Sequence, residues 1–318
     1  MNIDQTRYTF LLPAYKLDFF EEALRSIKEQ TFSDFKVLVS DDCSPHDLKS
    51  IFDKVCGDDE RFAYRRNEEN MGGKSLVSHW NLLVDMCDTE YLILASDDDV
   101  YEKTFLEEVD KLARKYPEVD LIRARVENID EDGDVLFKDV SLQEIVSQVE
   151  FTAQIFYNNV IKCIANYVFK KDTLCSFGGF LCFPLAWFSD TATVLKISNR
   201  GVANTKDILF GFRHSNQNIS FRGETKETNY KKALAATLFR IWFFKYLHEL
   251  ASHELSIRES YLIPLIKRHS EGYIDWMVTV YIRGCKFTDF CRLVVKQPGV
   301  ILKMQSLYLY LRNLVRYI

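Results

Sequence analysis

Three consecutive carboxylates, Asp97, Asp98 and Asp99, are the residues of this chain best suited to holding a cation. Carboxylates this close repel one another unless a positive charge lies between them. Mg²⁺ and Mn²⁺ take oxygen ligands and often bind through one or two carboxylates together with substrate phosphates. The alternative is structural, with Asp98 or Asp99 capping the helix that follows. The spacing alone leaves both interpretations open.

Two further polar clusters follow apolar runs nearer the N-terminus. Pro13, Ala14 and Tyr15 come after the first run, and the segment 40–44 (SDDCS) comes after the second. In open α/β sheets, ligands bind beyond the carboxyl ends of the strands. Three such ends carrying Tyr, Asp-Asp and Asp-Asp-Asp therefore describe a pocket that could stack a base, accept hydrogen bonds and hold a cation.

Alternating strands and amphipathic helices position these clusters. The alternation predicts a parallel sheet covered on both faces. Asp18 is the expected N-cap of the first helix, and Asp132-Gly133 predicts a hairpin turn. The predicted strands are 8–12, 35–39, 62–64, 91–95 and 119–126, and the predicted helices are 19–30, 48–55, 75–87 and 105–116.

The pattern changes toward the C-terminus. From about residue 225 onward strand signals are nearly absent, and helical stretches are separated by Pro264, Gly272 and Gly284. We place a boundary near 221–225, which divides the chain into an α/β domain at 1–222 and a helical region at 223–318.

Composition narrows the class of protein. The 318 residues are 47% hydrophobic and 27% charged, as in soluble globular proteins. Residues 226–318 carry +8, and since the whole chain carries −5, the first 225 residues carry −13. The negative charge of the first 225 residues argues against nucleic acid as the main partner. The eight cysteines form no C-x-x-C pair, and neither a signal peptide nor a membrane-spanning run is found, so a cytoplasmic location is expected.

The segments that carry these clusters resemble family 2 glycosyltransferases of the GT-A fold. The matching segments are TFLLPAY at 9–15, QTFSDF at 30–35, VSDDCS at 39–44 and EYLILASDDDVY at 90–101. Order and spacing match over roughly 7–116, and more weakly to about 220. The resemblance implies an α/β fold: a Rossmann-like, mostly parallel sheet with helices on both faces, followed by a C-terminal helical region. Its nucleotide-sugar half would span about 1–120 and its acceptor half about 121–222.

The resemblance also implies roles for individual residues. Ser96 departs from the Asp that many members have, so the frame of the Asp-x-Asp signature is open, and Cys43 replaces the usual Gly or Asn. Pro13, Ala14 and Tyr15 would line the base pocket, Asp42 would accept a hydrogen bond from the base, Asp97 would reach the ribose, Asp98 would ligate Mn²⁺ or Mg²⁺, and Asp99 would be a further metal contact.

A catalytic base is implied at Asp190, which precedes the helical run at 192–197. Family members usually have Glu before this Asp, whereas this chain has Ser189. The alternative is that Asp190 only caps the helix.

Three more residues have family counterparts near the donor. Lys74 in the Asn-x-Gly turn would add positive charge near the phosphates, or is a surface lysine at a helix start. Arg213 would face the diphosphate, and His214 would complete the metal shell or be structural.

The implied activity is an inverting, metal-dependent transfer of a sugar from a nucleotide-diphosphate donor, UDP by default, to a hydroxyl. The acceptor would be a glycan or lipid-linked saccharide in surface polysaccharide synthesis. A non-catalytic nucleotide-sugar-binding or scaffold protein on the same fold is the open alternative. A sugar-nucleotide pyrophosphorylase would carry a Gly-rich, basic first strand end, which Pro13-Ala14-Tyr15-Lys16 lacks.

The tail at 301–318 has an amphipathic, helical pattern with Arg312 and Arg316 on its flank. Such a helix can lie on the inner face of an anionic membrane. The alternatives are packing on the catalytic domain or across a homo-oligomer interface.

Overall fold

One mixed sheet forms the centre of the molecule. The computed structural model describes residues 6–215, 225–282 and 285–296. Its strands are β1 (Tyr8–Ala14), β2 (Phe35–Asp41), β3 (Phe62–Arg66), β4 (Tyr91–Leu94), β5 (Val100–Tyr101), β6 (Leu121–Ile129), β7 (Val135–Lys138), β8 (Ile145–Val146), β9 (Tyr167–Lys170) and β10 (Val202–Arg213).

The strand order places the polar clusters at one end of the sheet, where the parallel strands finish. The order is β3-β2-β1-β4-β9-β6-β10-β5, with β7 paired to β6 and β8 to β10. Strands β3, β2, β1 and β4 are parallel, and β6 and β10 are parallel. Because β9 is antiparallel to both β4 and β6, the six parallel strands all point the same way. The expected mostly parallel sheet is confirmed, and its carboxyl ends meet at one edge.

Helices cover both faces of the sheet. In α1, Phe20, Leu24 and Ile27 are buried at helical spacing. Its N-cap is Phe19, so the prediction that Asp18 caps it is wrong. The helices are α1 (Phe20–Lys28), α2 (Leu48–Cys56), α3 (Met71–Met86), α4 (Phe105–Lys115), α5 (Gln148–Phe156), α6 (Lys171–Ser176), α7 (Ser189–Ile197), α8 (Lys226–Ala251), α9 (Ile257–Ile282) and α10 (Phe287–Lys296).

Helix α3 begins four residues before the predicted start at 75. Non-helical backbone at Ser75 breaks it after the first turn. The predicted hairpin is confirmed: Gly133 has φ +88°, and Asp130 Oδ1 accepts from the backbone N–H groups of Asp132 and Asp134.

The predicted helical C-terminal region is confirmed by α8, α9 and α10. The prediction that Pro264 and Gly272 separate helices is wrong, because α9 continues through both. Helices α8 and α9 bury Phe239, Phe243 and Ile274 in the same apolar cluster as Leu11 and Leu94 of the sheet. The other face of the sheet forms a second cluster with α1, α2 and α4. Among the described residues, no helix is long and apolar enough to cross a membrane. The tail at 301–318 and most of the expected boundary lie outside the described residues.

Candidate active site

Asp97 joins the carboxyl ends of β4 and β1. Its Oδ2 accepts hydrogen bonds from the backbone N–H groups of Tyr15 and Lys16, both at 2.7 Å. The carboxyl group is buried, and burial raises its pKa although Lys16 and the two amides favour the ionised form. Consecutive amides after β1 therefore hold this carboxylate in one orientation.

Lys16 lies between the first two carboxylates of the cluster. Its Nζ is 3.1 Å from Asp97 Oδ1 and contacts Asp98 Oδ2. The Ser96 hydroxyl donates to the other oxygen of Asp98. Lys16 thus supplies the positive charge that adjacent carboxylates require. The sequence analysis missed this role, which the position directly after Pro13-Ala14-Tyr15 could have suggested.

Asp99 has a different partner from Asp97 and Asp98. Its Oδ1 accepts from the backbone N–H of Arg213 at 2.8 Å, and burial, with the charge of Asp98, raises the pKa of Asp99 well above its ordinary value. The capping alternative for Asp98 and Asp99 is wrong, because α4 begins only at Phe105 with Thr104 as its N-cap.

Arg213 is held behind the carboxylates. Its side chain is 1% exposed and pairs with Glu22 at 2.7 Å. Nε donates to the Asp98 carbonyl at 3.0 Å, and Nη1 donates to the carbonyls of Asp130 and Glu131 at 3.0 and 3.1 Å. The guanidinium therefore joins the backbone after β4 to the backbone after β6.

His214 lines a cavity whose lining includes none of the three carboxylates. Its Nε2 contacts Asn128 Nδ2, and its ring is edge-on to Phe137 and Phe212. Within the described ranges, no three His, Cys, Asp or Glu side chains are grouped to hold a metal ion.

The donor set of Asp97 and Asp98 nevertheless fits a divalent cation. Both are carboxylates whose oxygens already contact the ammonium of Lys16. Mg²⁺ commonly binds through one or two carboxylates and takes its other ligands from substrate phosphates and water. The pair therefore fits a metal that arrives with a diphosphate, provided that Lys16 moves aside.

A cavity of about 440 Å³ opens beside these carboxylates. We call it the donor cavity, after the donor that the sequence analysis expects there. It brings together Pro13, Ala14, Tyr15, Asp42 and Asp97 of the predicted set. Its other lining residues are Lys16, Asn70, Gly72, Gly73, Leu76, His79, Trp80, Leu94, Ala95, Ser96 and Ile164.

Asp42 anchors the first turn of α3 to this cavity. Its Oδ1 accepts from the Met71 N–H at 2.8 Å and from Asn67 Nδ2 at 2.9 Å, and its Oδ2 accepts from the Gly72 N–H at 2.7 Å. A side chain at Gly72 would place its Cβ 2.9 Å from Asp42 Oδ2, so this approach requires glycine. Asn67 and His79 were missed by the sequence analysis because nothing local marks them.

Lys74 lies outside the donor cavity lining. Its side chain is 67% exposed and its Nζ is 2.5 Å from Glu69 Oε2. It occupies the first turn of α3, as a surface lysine at a helix start would.

Asp190 lies in the first turn of α7. The N-cap is Phe188, in the left-handed conformation at φ 69°, so the alternative that Asp190 is the cap is wrong. Asp190 Oδ1 accepts from the Thr191 N–H at 2.6 Å. Burial raises the pKa of Asp190, while Thr191 and the charge of Lys162 oppose that shift.

Cys163 connects the two carboxylate regions. Burial raises the pKa of its thiol, and the charges of Asp99 and Asp190 both raise it further. Cys163 and Asp190 line one small cavity, and the charge of Asp99 also acts on the Cys163 thiol.

Lys162, which the sequence analysis missed, lines a small cavity together with Asp190. Burial lowers its pKa to about 8, although Asp190 opposes that shift. Its Nζ donates to Asn158 Oδ1 at 2.8 Å and lies 4.4 Å from the centre of the Tyr273 ring. A residue of α9 thus forms part of the surroundings of Asp190.

Sequence comparison links the chain to one family and one curated relative. Residues 9–175 match the model of Glycosyl transferase family 2. The GalNAc(5)-diNAcBac-PP-undecaprenol beta-1,3-glucosyltransferase of Campylobacter jejuni subsp. jejuni serotype O:2 is 34% identical over 79 residues. That match covers 25% of this chain and 25% of the relative.

Solved structures share the fold at low identity. S. aureus TarS 1-349 in complex with UDP-GlcNAc has a TM-score of 0.66 at 14% identity, covering 96% of this chain and 89% of that chain. The mannosyltransferase PcManGT of Pyrobaculum calidifontis, in complex with GDP-Man and Mn²⁺, has a TM-score of 0.52 at 14% identity, covering 95% and 78%. The expected GT-A fold is confirmed.

Proposed function

The chain belongs to glycosyl transferase family 2, and from that premise we propose that it transfers a sugar from a nucleotide-diphosphate donor to an acceptor hydroxyl. The observation that carries the proposal is the donor cavity, with Tyr15, Asp42 and Asp97 at the ends of three strands that are neighbours in the sheet. UDP-sugar is the default donor, supported by the UDP-GlcNAc complex of the TarS structure.

In this proposal the donor cavity orients the nucleotide. Tyr15 offers a ring face to the base, and Asp42 lies where the base edge would approach, already fixed by Asn67 and the amides of α3. Asp97 is held by two backbone amides for the ribose. Groups fixed before binding lose little freedom when the donor arrives, which favours the reaction through orientation.

Asp98 and Asp97 would hold Mn²⁺ or Mg²⁺, with Asp99 and Arg213 supporting the loop. A divalent cation there would neutralise the charge that develops on the diphosphate leaving group. Lys16 contacts the same oxygens, so we place its ammonium against the diphosphate once it leaves them.

Asp190 is the proposed general base. A carboxylate whose pKa is raised by burial accepts a proton more readily than an exposed one, and positioned bases contribute about 10²–10⁴-fold. Attack by the acceptor oxygen on the anomeric carbon, opposite the leaving diphosphate, inverts its configuration. Lys162 favours the ionised form of Asp190 before the proton arrives.

We place the acceptor among glycans or lipid-linked saccharides, used in surface polysaccharide synthesis at the inner face of a membrane. Support comes from the name of the curated relative, which acts on an undecaprenol-linked saccharide. The tail that would reach a membrane lies outside the described residues.

A panel of UDP-, GDP- and dTDP-sugars with Mn²⁺ tests the proposal. The expected result is a rise in Tm with one donor class, since ligand at 100 times its Kd stabilises the fold by about 2.7 kcal/mol, together with slow release of the nucleoside diphosphate. Binding without release, even with glycan acceptors present, would favour a binding protein. Neither binding nor release would reject the proposal.

A further inference from the structure

A second cavity lies beside the donor cavity on the same edge of the sheet. It has a volume of about 460 Å³. It lies where β6 and β10 end, between the β7 hairpin and the loop at 157–162. We call it the hairpin cavity. Its lining residues are Asn128, Phe137, Lys138, Asp139, Val140, Asn158, Asn159, Val160, Ile161, Lys162, Phe212 and His214.

The walls of the hairpin cavity combine aromatic faces with amides. Phe137 is 51% exposed, and its ring is 6.0 Å from the ring of His214. Asn128 is 2% exposed, and its Oδ1 has no hydrogen-bond partner. A buried acceptor without a donor is unfavourable, so a ligand hydroxyl or N–H that reached Asn128 would remove that penalty.

The loop at 157–162 closes the cavity and contributes two amide side chains, Asn158 and Asn159, to its lining. Asn158 has φ 55°, a conformation uncommon outside glycine but tolerated by Asn. The Asn159 carbonyl accepts from the Val140 N–H at 3.2 Å, and Asn159 Nδ2 donates to Gln154 Oε1 at 2.7 Å. The loop is thereby joined to the strand after Phe137, which fixes the width of the cavity.

Two of the three charged groups of the cavity are in ion pairs. Lys138 lies 3.3 Å from Glu127, and Asp139 is buried against Arg123. The third, Lys162, donates to the neutral amide of Asn158. A wall in which most charges are paired, with amides and one open aromatic face, suits an uncharged polar ring better than an anion. A pyranose has that chemistry, since its C–H face packs on an aromatic ring while its hydroxyls meet amides.

Lys162 connects the hairpin cavity to the base. It also lines the small cavity formed with Cys163, Tyr167, Asp190 and Thr191. We infer that the hairpin cavity binds a sugar ring of the acceptor, stacked on Phe137 and hydrogen-bonded to Asn128, next to the hydroxyl that Asp190 deprotonates. This inference rests on the proposed function and adds the class and position of the acceptor.

Saturation-transfer NMR with methyl glycosides of glucose, galactose, N-acetylglucosamine and N-acetylgalactosamine tests the inference. The variants are Phe137→Ala, Phe137→Trp and the matched control Leu136→Ala, since Leu136 is 52% exposed on the same strand and outside the cavity lining. At least one glycoside should bind the wild type, with saturation strongest on its ring C–H protons.

Phe137→Ala should weaken that binding by about tenfold, which corresponds to about 1.4 kcal/mol, while Phe137→Trp and Leu136→Ala retain it. Binding unaffected by Phe137→Ala, or no binding of any glycoside to the wild type, overturns the inference. A parallel UDP titration separates the two proposals, because UDP binding without Phe137-dependent glycoside binding rejects only this one.

Discussion

The donor side and the acceptor side of this site are built by different means. Asp42 and Asp97 are held by backbone amides next to the strand ends that carry the donor motifs. Around Asp190, the described chain has four left-handed non-glycine residues, Asn158, Leu185, Ala186 and Phe188, whereas the donor side has one, Cys43. Such residues are strained and persist only when packing determines them.

The C-terminal helices α8 and α9 provide the packing that holds the residues around Asp190 in place. The Phe188 ring stacks on Phe239 of α8 at 4.4 Å, and Tyr273 of α9 covers Lys162. The donor side therefore depends on short motifs, whereas the acceptor side depends on tertiary contacts. We expect substitutions on the two sides to separate donor binding from turnover.

The largest expected effect comes from the donor side. Asp98→Asn should lower nucleotide release from the donor by about 10³-fold or more. The variant loses a ligand of the divalent cation, and with the cation it loses the positive charge that balances the leaving diphosphate. The fold should persist, since Asp97 retains its amide partners. Nucleotide release and thermal melting measure both effects.

Asp88→Asn is the control, because Asp88 is an exposed carboxylate paired with Lys36. Full activity in Asp98→Asn, or in wild-type protein treated with EDTA, would contradict metal dependence.

Asp190→Asn tests the acceptor side. We expect turnover to fall by about 10²–10⁴-fold, since the amide cannot take the proton, while UDP affinity stays within about twofold. Kinetics and UDP titration measure the two quantities. Asp172→Asn, at an exposed position in the first turn of α6, is the control. Unchanged turnover would place the base elsewhere.

Lys16→Met sharpens the description of the donor side. The Lys16 ammonium and a divalent cation compete for the oxygens of Asp97 and Asp98, so removing the ammonium should tighten Mn²⁺ binding without donor by about tenfold. Titration followed by Mn²⁺ spin resonance measures free metal directly. Lys49→Met, on the exposed face of α2, should leave the affinity unchanged. An unchanged affinity in Lys16→Met would mean that the metal does not displace Lys16.

Lys162→Met gives the smallest expected effect, on the pH profile. The charge of Lys162 lowers the pKa of Asp190, so its removal raises that pKa, and the ionised base is lost at a higher pH as the solution is acidified. The acidic limb of the pH–rate profile should move to higher pH by about half a pH unit.

Above about pH 8 the wild-type lysine loses its own charge, and the two proteins should converge. Lys111→Met, which removes an exposed lysine of α4 already paired with Glu107, is the control. If the acidic limb does not shift, the charge of Lys162 has no effect on the pKa of the proposed base, Asp190.

Sequence reasoning reached the donor side because its signals are local. Tyr15, Asp42 and Asp97 directly follow apolar runs, and the sheet brings them together as expected. Lys16 and His79 were missed because their partners, Asp97 and Ser40, lie 81 and 39 residues away. Nothing in the local pattern around either residue predicts those distances.

The acceptor side was largely beyond sequence reasoning. Asp190 was found through resemblance alone, and its surroundings in Lys162 and Tyr273 were not predicted. The alternative that Asp190 caps its helix is wrong, because Phe188 in a left-handed conformation takes that position. Only packing against α8 accounts for such a start, and no short motif encodes it.

The position of β10 in the sheet has a consequence for the order of synthesis. Strand β5, directly after Asp99, pairs only with β10 in the described sheet, and the Asp98 carbonyl meets Arg213 at the last residue of that strand. A nascent chain therefore presents Asp99 long before its Arg213 partner has been made. During translation the first four strands can assemble and Lys16 can contact Asp97 and Asp98, whereas Asp99 stays without Arg213 until residue 213 has left the ribosome. That interval exposes unpaired strand edges, a known condition for aggregation, and makes slow elongation between 101 and 213 a hazard for the newborn enzyme.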